Sequence, residues 1–502
     1  MRKISSARSE VLHTVAATRQ IERLAAATLP EHELMQRAGL AIARLTLALA
    51  PHARCIWIAC GPGNNGGDGF EAALHLRQHG KNVHCSWTGP PHGKPDLPPD
   101  AEASRQRALA AGVHLSDQPP QTYDVCIDAL LGLGGRPPDT APGQLAEWLT
   151  SMQASQALRL NVDLPSGLNA DTGVPSAHPP SSTRHAETHT LSLLTLKPGL
   201  FTASGRDQAG QVWFDDLGVN ANAFHGPFAE LLGRDTAAVS RRENATHTSH
   251  KGSFGDVAVV GGESTAQGHM AGAALLAARA ALHAGAGRVM VALLGEPGLT
   301  LDTSQPELMF RPVEALDPDK QVIVCGCGGG QAVKRVLPEL LATAKHLVLD
   351  ADALNAIAEQ APLQAQLASR HSRGLLTVLT PHPLEAARLL GNQASAVQGD
   401  RLKAAQELAD RFACVVVLKG SGTVVAEPGT VPRINGSGNA RLATAGTGDV
   451  LAGMTGAWLA SGWSPFEAAC GAVFAHGALA DAWPHREGHA VMTASRLARQ
   501  DH

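Results

Sequence analysis

Short apolar runs rich in β-branched residues alternate with helical patterns along the first half of the chain. The runs are RCIWIAC (54–60), NVHCSW (82–87), YDVCIDALL (123–131), LRLNVDL (158–164) and THTLSLLTL (188–196). A strand followed by a helix, repeated several times, is typical of a parallel sheet with both faces covered. The first half is therefore predicted to be an α/β domain of three layers.

The alternation stops and then restarts. Residues 216–250 are polar, charged and weakly periodic, and apolar runs resume beyond them at DVAVVGG (256–262), RVMVALL (288–294) and QVIVCG (321–326). A chain of 502 residues is long enough for two ordinary domains. We place the boundary near residue 240, which predicts one domain over residues 1–240 and a second α/β domain over residues 241–502.

Composition and charge limit the classes of partner and the cellular compartment that we expect for the protein. The formal net charge is -4, so no basic excess favours nucleic acid or an anionic membrane. The eight cysteines lack the spacing of a zinc site or a disulfide framework. No window approaches the roughly 18 to 20 apolar residues of a membrane-spanning helix. We expect a cytoplasmic protein that acts on a small molecule, and small-residue faces on the last helices favour a homo-oligomer.

Three strand ends of the first half carry polar residues in glycine-rich surroundings. GPGNNGGDG (61–69) follows one strand, Asp128 follows another, and Asp163 and Ser166 follow a third. Glycines tolerate positive φ and allow close approach of a ligand, and the start of a helix attracts anions. A single strand-end aspartate is more often a cap, but three such loops at the carboxyl edge of a parallel sheet indicate a ligand site.

The second half contains a different motif, ATAGTGDVLAGM (443–454), with a glycine turn directly before a helix. Backbone N–H groups of residues 446–448 would cradle a phosphoryl group, and Asp449 would accept the proton of an attacking hydroxyl. An N-capping aspartate explains the short motif equally well. Lys419 in LKGSGTVV adds a cation at another strand end, which suits nucleotide phosphates and favours an enzyme.

The motifs GPGNNGGDG, DALLGLG and VDLPSG, in this order, resemble the Rossmann-like N-terminal domain of the bifunctional NAD(P)H-hydrate repair enzymes, an NAD(P)HX epimerase. The resemblance covers roughly residues 10–220. It implies that the hydrated dinucleotide is contacted by Asn64, Asn65, Gly66, Gly67, Asp68, Gly132, Leu133, Gly134, Gly135, Arg136, Pro137, Pro138 and Asp163. It also implies a potassium ion held by Asn65, Asp128 and Ser166, and oxygen ligands suit such a hard cation. Asp163 is the predicted acid–base residue.

The motifs KGSFGDVAVVGG, LDADALN, TPHPLEAARLL, LKGSGTVV and GNARLATAGTGDVLAGM resemble the ADP-dependent NAD(P)HX dehydratases, which have a ribokinase-like fold, over nearly all of residues 245–500. The resemblance implies substrate contacts from Ala273, Gly328, His382 and Asp449, with Asp449 catalytic. It implies nucleotide contacts from Lys419, Gly420, Ser421, Gly422, Thr423 and Gly448. CGCGGG (325–330) replaces the family's GPGLG-like turn and Leu384 replaces a glycine, and both departures bear on Gly328 and His382 more than on Asp449.

Together the two resemblances imply an enzyme that repairs NADHX and NADPHX. The first domain would interconvert the R and S epimers, and the second would use ADP with magnesium to return the S epimer to NAD(P)H, releasing AMP and phosphate. Two other interpretations stay open. One is a ribokinase-like kinase for a vitamin-precursor alcohol fused to a noncatalytic binding domain, which a stable phosphorylated product would support. The other is a noncatalytic scaffold, against which the presence of Asn65, Asp128 and Asp163 argues.

Overall fold

A computed structural model of the chain contains two compact units. One comprises residues 1–5 and 11–229, and the other comprises residues 6–10 and 230–502. The structure describes residues 1–89, 97–133, 143–176, 186–224, 226–237, 245–266, 268–295, 299–483 and 491–500. Within these ranges, no helix combines the length and the apolar character needed to span a lipid bilayer.

The strands along the first 229 residues are β1 (Arg2–Lys3), β2 (Glu10–Leu12), β3 (Cys55–Cys60), β4 (Asn82–Trp87), β5 (His114–Ser116), β6 (Val125–Ala129), β7 (Leu158–Val162), β8 (Thr188–Leu193) and β9 (Gln211–Asp215). The helices are α1 (Val15–Ala26), α2 (Glu33–Leu49), α3 (Asn64–Gln78), α4 (Pro99–Ala110), α5 (Gln144–Ala154) and α6 (Gly205–Ala209). The sheet of the first unit has the order β1-β9-β8-β7-β6-β3-β4-β5, and only β1 is antiparallel to its neighbour.

Strand β3 shows why this sheet is buried on both sides. Ile56, Ile58 and Cys60 belong to the apolar core that also contains residues of α1 to α4, whereas Trp57 packs with Trp148 of α5 in a second core. Alternate residues of a strand point to opposite faces, so one apolar run supplies both cores. The chain order reverses at β3, which lies between β4 and β6, and open α/β sheets bind ligands at such a reversal.

The second unit has the strands β10 (Ala229–Leu232), β11 (Asp256–Thr265), β12 (Gly268–His269), β13 (Arg288–Gly295), β14 (Met309–Phe310), β15 (Val322–Cys325), β16 (His346–Leu349), β17 (Leu376–Leu379), β18 (Val415–Leu418), β19 (Val424–Ala426) and β20 (Arg433–Asn435). Its helices are α7 (Ala271–His283), α8 (Val333–Thr343), α9 (Ala351–Glu359), α10 (Ala361–Ser369), α11 (Pro383–Leu390), α12 (Ala394–Gly399), α13 (Arg401–Phe412), α14 (Thr447–Ala460), α15 (Pro465–Ala482) and α16 (Ala494–Arg499).

The main path of this sheet runs β14-β13-β11-β15-β16-β17-β18-β19-β20-β10, and its neighbours from β14 to β18 are parallel. Small residues bring the covering helices close. A Cβ at Gly453 of α14 would lie 2.0 Å from the carbonyl oxygen of Ala277 in α7. One at Gly456 would lie 2.5 Å from Val324 of the sheet. The α/β class predicted for both halves of the chain is confirmed.

Residues 6–10 belong to the second unit although they lie near the start of the chain. The backbone N–H and the hydroxyl of Ser9 both donate to Asp235 Oδ1, at 2.8 and 2.9 Å. The N–H of Gly233 donates to Ser9 Oγ at 3.0 Å, and the N–H of Arg234 donates to the carbonyl of Ser6 at 2.9 Å. A segment of five residues therefore completes a unit whose other residues begin at 230.

Candidate active sites

A cavity of about 640 Å³ lies at the carboxyl ends of β3, β6, β7 and β8 in the first unit. Six of the predicted contact residues line it: Asn64, Asn65, Asp68, Gly132, Leu133 and Asp163. Residues of α1 and α2 line it as well. The structure thus brings the three predicted loops together around one space. Gly134, Gly135, Arg136, Pro137 and Pro138 lie outside the described residues.

The glycines of residues 61–69 serve close packing. The positive φ expected for them is wrong, because none of the five has a left-handed backbone. Helix α3 begins at Asn64, so the predicted loop is the first turn of a helix. A Cβ at Gly66 would lie 2.1 Å from the carbonyl oxygen of Gly61, and one at Gly67 would lie 2.6 Å from Met35 Sδ. Gly66 and Gly67 therefore seat the helix, and Asn64, Asn65 and Asp68 present side chains to the cavity.

Asp128 and Ser166 form a hydrogen-bonded pair near this cavity. Asp128 is 2% exposed, Ser166 Oγ donates to its Oδ1 at 2.6 Å, and the N–H of Ser166 donates to its Oδ2 at 3.0 Å. Burial raises the pKa of Asp128, and the bonds from Ser166 oppose that rise. Asn65 lies against Gly132, and among the described residues its buried Nδ2 has no hydrogen-bond partner. The three predicted cation ligands are thus oxygen-bearing side chains, two of them in direct contact.

Asp163 has a left-handed backbone, with φ of 64°, and its carboxylate forms an ion pair with the buried Lys197. Further carboxyl groups line the same cavity, on Glu22, Glu31, Glu33, Asp68 and Asp100. Burial raises the pKa of Asp68 well above its ordinary value, and the nearby carboxylate of Asp163 adds to the rise. The pKa of Glu22 is raised by the same two causes in the same order. The cavity therefore holds carboxyl groups with raised pKa near the ion pair of Asp163 and Lys197.

The second candidate site is built around the start of α14. Gly446 has φ of 89°, in the left-handed region, and Asp449 lies in the first turn of the helix. Thr447 Oγ1 donates to the carbonyls of Leu442 and Thr444, at 2.8 and 3.0 Å. The ring of His476, buried in α15, has Nε2 at 2.9 Å from the carbonyl oxygen of Thr447. These bonds hold the glycine turn so that the first amides of α14 and the Asp449 carboxylate share one side.

A buried ion pair lies next to this turn. Lys419 Nζ donates to Asp350 Oδ1 at 2.6 Å, and a Cβ at Gly448 would lie 3.3 Å from the same nitrogen. One polar atom each from Cys327, Asp350 and Asp449 lies within 4.8 Å of the other two. Burial, reinforced by the carboxylate of Asp350, raises the pKa of Asp449 to about 7. A cation, a helix start and a carboxyl group that titrates near neutrality thus meet at one point.

Hydrogen bonds from Arg401 hold the turn that carries Lys419. Gly420 and Gly422 have φ of 137° and 62°, and the buried Arg401 of α13 donates to the carbonyls of Leu418 and Lys419 at 3.1 and 3.2 Å. Of the other predicted nucleotide contacts, Ser421 is exposed and Thr423 Oγ1 donates to the carbonyl of Gly420 at 3.1 Å. The glycines of this second turn do adopt the left-handed backbone that favours glycine.

The remaining predicted substrate contacts occupy two places. Gly328 has φ of 60°, and a Cβ there would lie 3.0 Å from the Cβ of Ala273, so these two residues adjoin. His382 is the N-cap of α11, where its Nδ1 accepts from the N–H groups of Leu384 and Glu385 at 3.1 and 3.2 Å. Its side chain is 47% exposed. The capping role alone accounts for a histidine at that position.

Comparison with known proteins assigns the chain to one family. Residues 31–199 match the family described as YjeF-related protein N-terminus, and residues 257–501 match the one described as NAD(P)H-hydrate dehydratase. The chain is 38% identical over 486 residues to the bifunctional NAD(P)H-hydrate repair enzyme Nnr of Escherichia coli, covering 93% of this chain and 88% of that relative. The chain belongs to the bifunctional NAD(P)H-hydrate repair enzyme family. The family and enzyme class predicted from the motifs are confirmed.

Relatives of this repair enzyme include shorter proteins. The ADP-dependent (S)-NAD(P)H-hydrate dehydratase of Neisseria meningitidis serogroup B is 44% identical over 246 residues, which is 46% of this chain and 78% of that protein. A crystal structure of the ADP/ATP-dependent NAD(P)H-hydrate dehydratase from Bacillus subtilis, obtained with ATP and Mg²⁺, is 29% identical with a TM-score of 0.42. It covers 51% of this chain and 90% of the other.

Two residues of the repair enzyme's sites escaped prediction from its sequence. Lys197 and Arg401 are both buried, and each is bonded to a predicted site residue. Lys197 had a visible signal, because it is the lone charged residue directly after an apolar run of nine residues. Arg401 had none, since it begins an ordinary amphipathic helix and its partners are carbonyls.

Proposed function

We propose that the first site interconverts the R and S epimers of NADHX and NADPHX, and that the second dehydrates the S epimer at the expense of ADP. The observation that supports the second activity best is the place of Asp449, in the first turn of α14 beside the Lys419 ammonium. Phosphoryl transfer needs donors for the phosphoryl oxygens and a base for the attacking hydroxyl. This one turn offers both.

In the proposed dehydration, ADP enters as its magnesium complex and its terminal phosphoryl group faces the amides of residues 446–448. Asp449 takes the proton of the hydrate's hydroxyl, whose oxygen forms a bond to phosphorus as the bond to AMP breaks. The ring nitrogen then supplies an electron pair, phosphate leaves with the C–O electrons, and loss of a ring proton restores the dihydropyridine. Lys419 would offset the phosphate charge, and Asp350 would hold its ammonium in place.

The proposed epimerisation needs an acid to help the hydroxyl leave as water and a base to receive a proton when water returns to the other face. Two carboxyl groups in different surroundings are suited to these roles. Asp68 has a raised pKa because it is buried among carboxylates, which suits the acid. Asp163, paired with Lys197, is the base in this proposal.

A potassium ion in the first unit would be held by Asn65, Asp128 and Ser166. Their carboxylate, hydroxyl and amide oxygens are hard donors, and the side chains of Asp128 and Ser166 already lie in contact at 2.6 Å. When bound, the ion supplies a fixed positive charge that would help to orient an anionic dinucleotide.

Recovery of the reduced-nicotinamide absorbance from a mixture of both NADHX epimers, with ADP and magnesium, tests the proposal. The wild type should convert the whole mixture. Asp449→Asn should stop recovery while R and S still interconvert, and Asp163→Asn should leave recovery of the S epimer intact while the R epimer persists beyond its spontaneous conversion. Each variant controls for the other.

A stable phosphorylated product without recovered absorbance would instead favour a kinase. Equal loss of both activities in either variant would contradict independent sites.

A further inference from the structure

The ammonium group of Lys197 is fully enclosed in the first unit. Its side chain is 0% exposed, and Nζ donates to Asp163 Oδ1, to the carbonyl of Leu193 at 2.8 Å and to Ser192 Oγ at 3.4 Å. All three protons of the ammonium thus have acceptors. A buried cation is tolerated only with an anionic partner, which here is the Asp163 carboxylate.

The two residues follow adjacent strands. Asp163 comes directly after β7 and Lys197 comes four residues after β8, and β7 pairs with β8 through the register Val162–Leu191. The N–H of Asp163 donates to the carbonyl of Leu191 at 2.8 Å, which anchors its left-handed backbone to β8. Both residues line the cavity of about 640 Å³, where the side chain of Asp163 is 11% exposed and that of Lys197 is 0% exposed. Asp163 is therefore the member of the pair that a ligand would meet.

The two oxygens of Asp163 have different surroundings. Oδ1 accepts from Lys197 Nζ and from the N–H of Leu193 at 3.0 Å. Within the part of the chain that the structure describes, no hydrogen bond to Oδ2 is present. A carboxylate with one oxygen fully engaged and the other open is oriented for proton exchange through the open one.

The other charged groups around this pair are mainly acidic. Glu22 comes from α1 and Asp68 from α3, and both interact electrostatically with Asp163; Arg19 of α1 lines the same cavity. Lys197 is the buried cation that is paired directly with Asp163 among these acidic groups.

We infer that Lys197 is a positioning residue for the epimerisation proposed above: it anchors Oδ1 of Asp163 and leaves Oδ2 to exchange the proton. This inference rests on the proposed function of the first site. Lys197 acts through Asp163, because its three protons are already directed at protein acceptors.

The test is the rate of conversion of R-NADHX by the full chain, with the S epimer trapped by the dehydratase activity and ADP. Lys197→Met should lower kcat about 10²-fold, within the range of a positioned acid–base group, and leave KM within about threefold. Lys81→Met is the control, because Lys81 also donates hydrogen bonds within the first unit, to the carbonyls of Pro51 and Ala53, but does not line the cavity.

A double variant separates positioning from mere structure. If Lys197 acts through Asp163, then Lys197→Met combined with Asp163→Asn should be within about twofold of Asp163→Asn alone, as expected for residues of one unit. This variant leaves no unpaired buried charge. Lys197→Arg keeps the charge but moves the hydrogen-bond donors, so it should lower kcat at unchanged KM. It replaces Lys197→Met in the test if that variant does not fold.

The outcomes distinguish the inference from its premise. If the wild type and Lys81→Met convert R-NADHX no faster than the spontaneous reaction, the proposed epimerase function fails and the role of Lys197 fails with it. If both convert it and a folded Lys197 variant keeps the wild-type kcat or raises KM alone, only the inference about Lys197 is overturned. A double variant far below Asp163→Asn would overturn it as well.

Discussion

The rate of dehydration should rise with pH through neutrality, because Asp449 has to be ionised to take the hydroxyl proton. Burial, together with the carboxylate of Asp350, raises the pKa of Asp449 to about 7. A group with that pKa is ionised in about one molecule in eleven at about pH 6 and in about ten of eleven at about pH 8. The initial rate of absorbance recovery from S-NADHX, at saturating ADP and magnesium, should therefore differ about tenfold between these conditions.

Glu385 provides the control, because burial raises its pKa to about 7 as well. Its Oε2 accepts from the N–H of His382 at 2.7 Å, a bond that Glu385→Gln can keep. That variant should retain the pH profile, whereas Asp449→Asn should lose about 10² to 10⁴ in rate and show no dependence near pH 7. A normal pH profile in Asp449→Asn, or a flat one in Glu385→Gln, would refute the reasoning.

Two further predictions concern the glycine turn of α14. Gly446→Ala places a Cβ 2.6 Å from Leu276 Cδ1 on a left-handed backbone, so the dehydratase kcat should fall about tenfold or more. Gly272→Ala is the control and should keep the wild-type rate, because its Cβ meets nothing within 4 Å. Equal rates in the two variants would contradict this. Burial lowers the pKa of His476 from 6.5 to about 4, so the unfolded chain takes up that proton first as the pH falls, and the second unit should lose about 3 kcal/mol between those values. In urea titrations, the unfolding transition that moves on addition of ADP belongs to the second unit, and its free energy of unfolding should show this loss. His476→Gln should reduce the loss, and the same pH dependence in both proteins would contradict the prediction.

The strands and the loops at their carboxyl ends could be predicted because buried parallel strands appear as short apolar runs. The burial of β3, with alternate residues in two different cores, is the physical origin of the run CIWIAC. Polar residues at the ends of such runs then had to converge on one edge of the sheet. For this reason the sequence predicts that Asp128, Asp163 and the start of α3 converge, and Asp163 and the start of α3 line one cavity.

What could not be predicted depends on partners that are distant in the sequence. The glycines of residues 61–69 suggested unusual backbone angles, but the structure uses them for contact with Met35 and other neighbours. Lys419 was expected to meet only phosphate, yet it lies 2.6 Å from Asp350, 69 residues away. Residue type limits what a side chain can do, and only the fold determines which of its possible partners it meets.

The assignment of residues 6–10 to the second unit has a consequence for synthesis of the protein. Ser9 leaves the ribosome 226 residues before its partner Asp235, so this segment waits, unpaired, while the whole first unit is translated. The first unit is free to fold as it emerges, because domains generally fold in order from the N-terminus. The second unit cannot finish folding until residues 6–10, which are made before residues 11–229, have been captured across a long loop, and such non-local pairing is slow. Assembly of the dehydratase half therefore depends on a segment that is translated ahead of nearly all of the first unit.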